Sequence, residues 1–87
     1  MAMVWIPSLM RGLTGGQAQV SAPGKTVRDI IGALDDVYPG IKDRLCTGDR
    51  LDPAIMVSVD GRIARLGLSE PVAEGSQVLF LPAVAGG

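Results

Sequence analysis

The sequence predicts an α+β roll, a mixed sheet of four to five strands with one main helix packed across it. Three observations predict it. One stretch, Thr26 to Val37, repeats apolar residues at helical spacing, while the other ordered-looking stretches are short and strand-like. These strands fall two before the helix and three after it. The chain has 87 residues, 47% of them apolar and 20% charged, which suffices for one folded domain and not for two.

The run Met3 to Leu9 is almost wholly apolar and reads as a first strand buried on both faces, with Pro7 near its end or at a bulge. Arg11 to Gly16, with three glycines, reads as a loop. Gln17 to Ala22 alternates, with Ala18, Val20 and Ala22 on one face, and predicts a second strand antiparallel to the first. Pro23-Gly24 is a turn. Thr26 is placed to cap the helix, with Asp29 three residues on, and Val27, Ile30, Ile31, Leu34 and Val37 form its apolar stripe. Gly32 costs about 1 kcal/mol in a helix relative to alanine, so close packing against a strand is expected there. Tyr38-Pro39-Gly40 ends the helix, and Ile41 and Leu45 predict one further inward-facing turn. Cys46 to Ala54 reads as a loop. Ile55 to Val59 alternates as a strand, Asp60-Gly61 signals a tight type I′ hairpin, and Arg62 to Leu66 is the returning strand. An irregular stretch, Leu68 to Ser76, precedes a last apolar strand, Gln77 to Leu81, which Pro82 ends. In this β-β-α-β-β-β order the right-handed crossover rule places the first and last strands side by side and parallel, which is the β-grasp arrangement.

Composition excludes several functions. The formal charge of −1 gives no reason to seek a polyanion, so no nucleic acid is expected as partner. There is no histidine, which removes the commonest general base and metal ligand, and Cys46 is the only cysteine; neither a metal site nor a disulfide is expected. Cys46 reads as an incidental thiol, Asp35-Asp36 as a solvated helix face, and Gly12, Gly15 and Gly16 fit no phosphate-loop spacing. No apolar run approaches the roughly 20 residues of a membrane span, so no membrane is expected, and the cysteine usage and the start of the chain fit a cytoplasmic protein. Trp5 and Phe80, on strands, are core residues by default; if the outer face of the last strand is open, Phe80, Leu81 and Pro82 are candidates for docking a partner.

The last residues carry the chemistry. Residues 1–82 are expected to form the domain and residues 83–87 (Ala83-Val84-Ala85-Gly86-Gly87) a flexible C-terminal tail. Such an arm, without side chains at its last two positions, fits a narrow channel and leaves the acyl carbon of Gly87 sterically open. A carboxylate is a poor electrophile until it is activated, for instance by adenylation.

Several motifs stand in order along nearly the whole chain. They are Gly24-Lys25-Thr26-Val27, Tyr38-Pro39-Gly40-Ile41, Val59-Asp60-Gly61, Glu74-Gly75-Ser76-Gln77-Val78, and the end from Leu81-Pro82 to Gly86-Gly87. With these the sequence resembles the ubiquitin-like sulfur carriers of the MoaD/ThiS type. Ile6-Pro7-Ser8-Leu9 with Thr14-Gly15-Gly16, and the tail from Pro82, are most similar to the carriers of cysteine synthesis. The resemblance implies a carrier with no catalytic residues of its own. An E1-like adenylyltransferase, using ATP and magnesium, would activate the Gly87 carboxylate. A sulfur donor or sulfurtransferase would convert it to a thiocarboxylate, while Gly86, Ala85, Val84 and Ala83 thread the partners' active sites. The sulfur acceptor would sit on a pyridoxal-phosphate cysteine synthase-like enzyme, followed by a metal-dependent peptidase. The alternatives are the small subunit of molybdopterin synthase, working with its large subunit, and a ubiquitin-like modifier joined to lysines.

Overall fold

The computed structural model describes residues 1–82. Its strands are β1 (Ala2–Trp5), β2 (Gln19–Ala22), β3 (Cys46–Thr47), β4 (Arg50–Leu51), β5 (Ile55–Val59), β6 (Arg62–Ile63) and β7 (Gln77–Pro82). The helices are α1 (Val27–Val37) and α2 (Ile41–Leu45), with 3-10 turns over Ser8–Thr14 and Gly67–Ser69. Five strands form one sheet in the order β2-β1-β7-β5-β6, and β3 and β4 form a separate two-stranded hairpin. β1 runs antiparallel to β2 and parallel to β7, as the crossover rule requires. This is the β-grasp roll that the element order predicts.

The sheet is sided. Ala2, Val4, Val20, Ala22, Val57, Val78 and Phe80 point toward the helices and are buried, together with Val27, Ile30, Ile31 and Leu34 of α1 and Ile41 and Leu45 of α2. The α1 stripe holds through Leu34 and then passes to Tyr38, which packs on the core, whereas Val37 is 67% exposed. A 3.6-residue period from Val27 reaches position 38 rather than 37, which accounts for the departure from the expected stripe. Thr26 caps α1 as expected: its Oγ1 accepts from the Asp29 amide at 3.2 Å, and the Asp29 carboxylate accepts from the Lys25 amide at 3.1 Å.

Several expectations are corrected. The first apolar run is not one strand buried on both faces. β1 ends at Trp5, and Pro7, with no amide hydrogen, leads into a 3-10 turn in which Met10 donates to the Pro7 carbonyl at 2.9 Å. The stretch beginning at Arg11 therefore continues this turn before the Gly15-Gly16 bend. Buried Thr14 closes the segment, its hydroxyl lying 3.1 Å from the Arg11 carbonyl and 2.7 Å from that of Gln17. The Cys46 to Ala54 stretch holds the β3–β4 hairpin, not only a loop. The return strand stops at Ile63, because the chain bends so that the Leu66 amide donates to Glu70 Oε1 at 3.2 Å. Asp35 is not simply solvated: its Oδ1 accepts from the amides of Gly40 and Lys42, both at 3.1 Å, and so caps α2. The strand contact expected of Gly32 is absent, since a Cβ there would meet nothing within 4 Å.

Asp60 and Gly61 both have positive φ, 51° and 84°, as a type I′ turn demands. Asp60 also locks the turn onto the start of β7. Its carboxylate accepts from the Gln77 amide at 2.9 Å and from the Ser76 hydroxyl at 2.7 Å, while its own amide donates to the Gln77 carbonyl at 2.9 Å. The Gln77 amide first, then the Ser76 hydroxyl, holds the Asp60 carboxyl below its ordinary value of 3.8.

Two glycines give opposite predictions. A Cβ at Gly24, where φ is 150°, would lie 2.7 Å from the Asp29 Cβ and 3.0 Å from the Ile30 nitrogen. Gly24→Ala is therefore expected to destabilise the domain by about 1–3 kcal/mol through strain. Gly32→Ala, in open space, is expected to stabilise it by about 1 kcal/mol. Urea unfolding of both variants checks this. A third variant, Asp60→Asn, keeps a residue that tolerates positive φ but removes the charge. A depressed folded-state pKa adds stability that is present above the ordinary value and lost as pH falls through the folded value. Wild type is thus expected to exceed Asp60→Asn in stability at neutral pH, with a gap that closes below pH 3.8. A gap independent of pH in acid unfolding curves would contradict the assignment.

Candidate functional site

Of the residues that the sequence singles out, Gly87, Gly86, Ala85, Val84 and Ala83 lie outside the described residues, as does the predicted tail as a whole. The structure does define the place from which they depart. β7, the middle strand of the sheet, ends at Pro82, which pairs with Ile55 of β5. β1 pairs with β7 only as far as Leu79, so Phe80, Leu81 and Pro82 have a strand neighbour on the β5 side alone.

The face of the sheet turned away from the helices is partly apolar. Pairing register sets Gln19, Trp5, Leu79, Ser58 and Ile63 in one row across all five strands, with Leu81 opposite Met56 in a neighbouring row. Trp5 is 40% exposed, Ile63 51%, and Met56 and Leu81 37% each. The Trp5 indole N–H donates to Gln77 Oε1 at 2.8 Å, which fixes the ring on this face. Trp5 is therefore a surface residue and not the core residue expected by default.

Phe80 is the converse case. It is 2% exposed and belongs to the core, so the docking role allowed for it as a surface anchor is corrected by its position on the helix side of β7. Leu81 and Pro82 are exposed, as docking residues must be. Strand parity separates the two classes: Val4, Val57, Val78 and Phe80 face in, and Trp5, Met56, Leu79 and Leu81 face out. That alternation was available in the sequence once the register was known.

Beside Pro82, where β1 leaves the sheet and the 3-10 turn begins, lies a groove of about 350 Å³. Trp5, Pro7, Leu9, Ile55, Leu79 and Leu81 contribute to its walls, and Arg11 is the one charged residue lining it. Leu9, missed by the sequence reading because it was placed in a buried strand, is 88% exposed.

Elsewhere the chemistry is sparse. Burial pushes the Cys46 thiol above its ordinary value of 9.0, although Lys42 and Arg28 pull the other way. Such a thiol stays protonated at neutral pH, unlike a nucleophilic cysteine. Among the described residues there is no group of three or more His, Cys, Asp and Glu side chains able to hold a metal ion. No helix among them is long and apolar enough to cross a membrane.

A mixed sheet in this order, wrapped on one helix and with its last described strand in the middle, defines a β-grasp domain of the ubiquitin-like class. A family model described as the ThiS family matches residues 4–87, and the chain belongs to that family. The sulfur carrier protein CysO of Mycobacterium tuberculosis is 39% identical over 89 residues, covering 97% of this chain and 96% of its own. The CysO-type fold seen in the crystal structure of the Amycolatopsis orientalis BexX/CysO complex matches with a TM-score of 0.93 and 39% identity, each chain covered in full. The small archaeal modifier protein 1 of Methanosarcina acetivorans matches with a TM-score of 0.77 and 26% identity, covering 99% of this chain and 95% of that one.

The inward and outward classes predict different outcomes on substitution. Phe80→Ala is expected to cost about 3–5 kcal/mol, as for a buried aromatic ring. Leu81→Ser, on the outer face, is expected to change stability by less than about 0.5–1 kcal/mol. Thermal unfolding of the two variants side by side tests the assignment.

Proposed function

We infer that this chain is a sulfur-carrier protein of cysteine biosynthesis whose reactive group is the carboxylate of Gly87. The observation that carries the reading is the match to the carrier of Mycobacterium tuberculosis over almost the full length of both chains, together with a family match that runs through Gly87. The body contributes no catalytic group. An E1-like adenylyltransferase supplies ATP and magnesium; the Gly87 carboxylate attacks the α-phosphorus and pyrophosphate leaves. Sulfide delivered by a donor then displaces AMP from the acyl carbon, leaving a thiocarboxylate. Neither Gly86 nor Gly87 has a side chain to obstruct that attack. The thiocarboxylate sulfur bonds to a carbon of an acceptor held by a pyridoxal-phosphate cysteine synthase-like enzyme while still joined to the Gly87 carbonyl. The acyl group then moves from sulfur to the amino nitrogen, which extends the chain by one cysteine. A metal-dependent peptidase hydrolyses that amide to release cysteine and restore the Gly87 carboxylate. The BexX/CysO complex is support from a relative that a carrier of this shape docks with a partner protein. The protein works in the cytoplasm on this reading.

The likeness to the archaeal modifier favours a second reading, in which Gly87 is joined to lysine amines of target proteins. Intact-mass spectrometry of the chain recovered from its native cells separates the two. An oxygen-for-sulfur exchange at the end group is the expected result, whereas isopeptide adducts on lysines would support the modifier. A variant lacking Gly86 and Gly87 is expected to unfold at the wild-type temperature yet to be inert toward adenylyltransferase, ATP and sulfide. Consumption of ATP and uptake of sulfur by that variant would refute the role given to Gly87.

A further inference from the structure

The groove beside Pro82 has a composition that defines its occupant. Its walls are largely apolar, Trp5, Leu9, Leu79 and Leu81 among them, and Arg11 is the single charge along it. Arg11 is half-buried and oriented: its Nε donates to the Ile6 carbonyl at 3.1 Å, and among the described residues its guanidinium has no ion-pair partner. A cation so held, beside apolar walls, gains more from a carboxylate than a cation on an open surface does. Leu9 is 88% exposed on the turn that carries Arg11. With Trp5 and Leu81, also exposed in part and lining the same groove, it forms a shared apolar surface and not a lone exposed side chain.

We propose that this groove binds a segment of a partner protein in which a large apolar side chain is followed closely by a carboxylate. The apolar group fills the space between Trp5, Leu9 and Leu81, and the carboxylate pairs with Arg11. The 3-10 turn over Ser8–Thr14 supplies both Leu9 and Arg11, so this turn is the element that selects the partner. The proposal rests on the carrier reading for the kind of protein that docks, and on the groove alone for its chemistry.

The test uses the full-length chain, isotope-labelled for amide NMR, and two capped pentapeptides. Each carries one phenylalanine; one also carries a glutamate and the other a lysine in the same place. The glutamate peptide is expected to shift amides around the groove saturably and to bind about fivefold more tightly than the lysine peptide, the scale of a partly exposed ion pair. Arg11→Glu is expected to reverse that preference, Arg11→Lys to keep it, and Leu9→Ser to weaken both peptides. Equal binding of the two peptides, or shifts away from the groove, would overturn the proposal. So would binding seen only after residues 83–87 are removed, which would assign the groove to the chain's own end. Groove shifts that depend on protein concentration without peptide would assign it to a second copy, also against the proposal. None of these readouts depends on sulfur transfer, so failure here leaves the carrier reading standing, and the reverse.

Discussion

The pairing of β1 with β7 is the constraint on which the remainder of the structure depends. It joins residues more than seventy positions apart, with Val4 beside Val78, both fully buried. Without it the sheet would separate into a β2–β1 hairpin and a β7–β5–β6 unit, and neither could present a face wide enough to cover α1. Parallel pairing needs a crossover, and α1 lies within that crossover. The same contact that closes the core therefore brings the last strand to the middle of the sheet. The exit point of the chain follows from the burial of the helix.

Around this pairing, short polar contacts fix the register. Asp60 reaches across from the β5–β6 turn to the first residues of β7, and Asp35 reaches from α1 to the start of α2. Each carboxylate satisfies two donors that would otherwise need water. These contacts also explain why the segments Val59-Asp60-Gly61 and Glu74-Gly75-Ser76-Gln77 belong together: one supplies the acceptor and the other the donors.

The fold was legible where local periodicity and turn chemistry agreed. The α1 stripe, its Thr26 cap, the Asp60-Gly61 turn and the parallel first and last strands needed only spacing and handedness. Of the site, the exposure of Leu81 and Pro82 was legible and the groove beside them was not. Met3 to Leu9 looked like one buried strand because continuous apolar character does not distinguish a two-faced strand from a one-faced strand followed by a turn. Pro7 held the answer, but whether the chain bulges or leaves the sheet there is decided by Met10 and Thr14, whose burial is tertiary. The consequence was that Leu9, Arg11 and Trp5 were assigned to a loop or the core, although they line the groove. Asp35 was misread for the same reason, since nothing local announces that a helix carboxylate will cap the next helix.

The central place of β7 has a bearing on biosynthesis. A nascent chain can form α1 and the first hairpin early, but it has no closed core until residues 77–82 have left the ribosome. The hairpin and the helix must therefore wait for the strand that joins them to β5. Closure of the body and placement of the point at which the chain leaves the sheet are thus a single event.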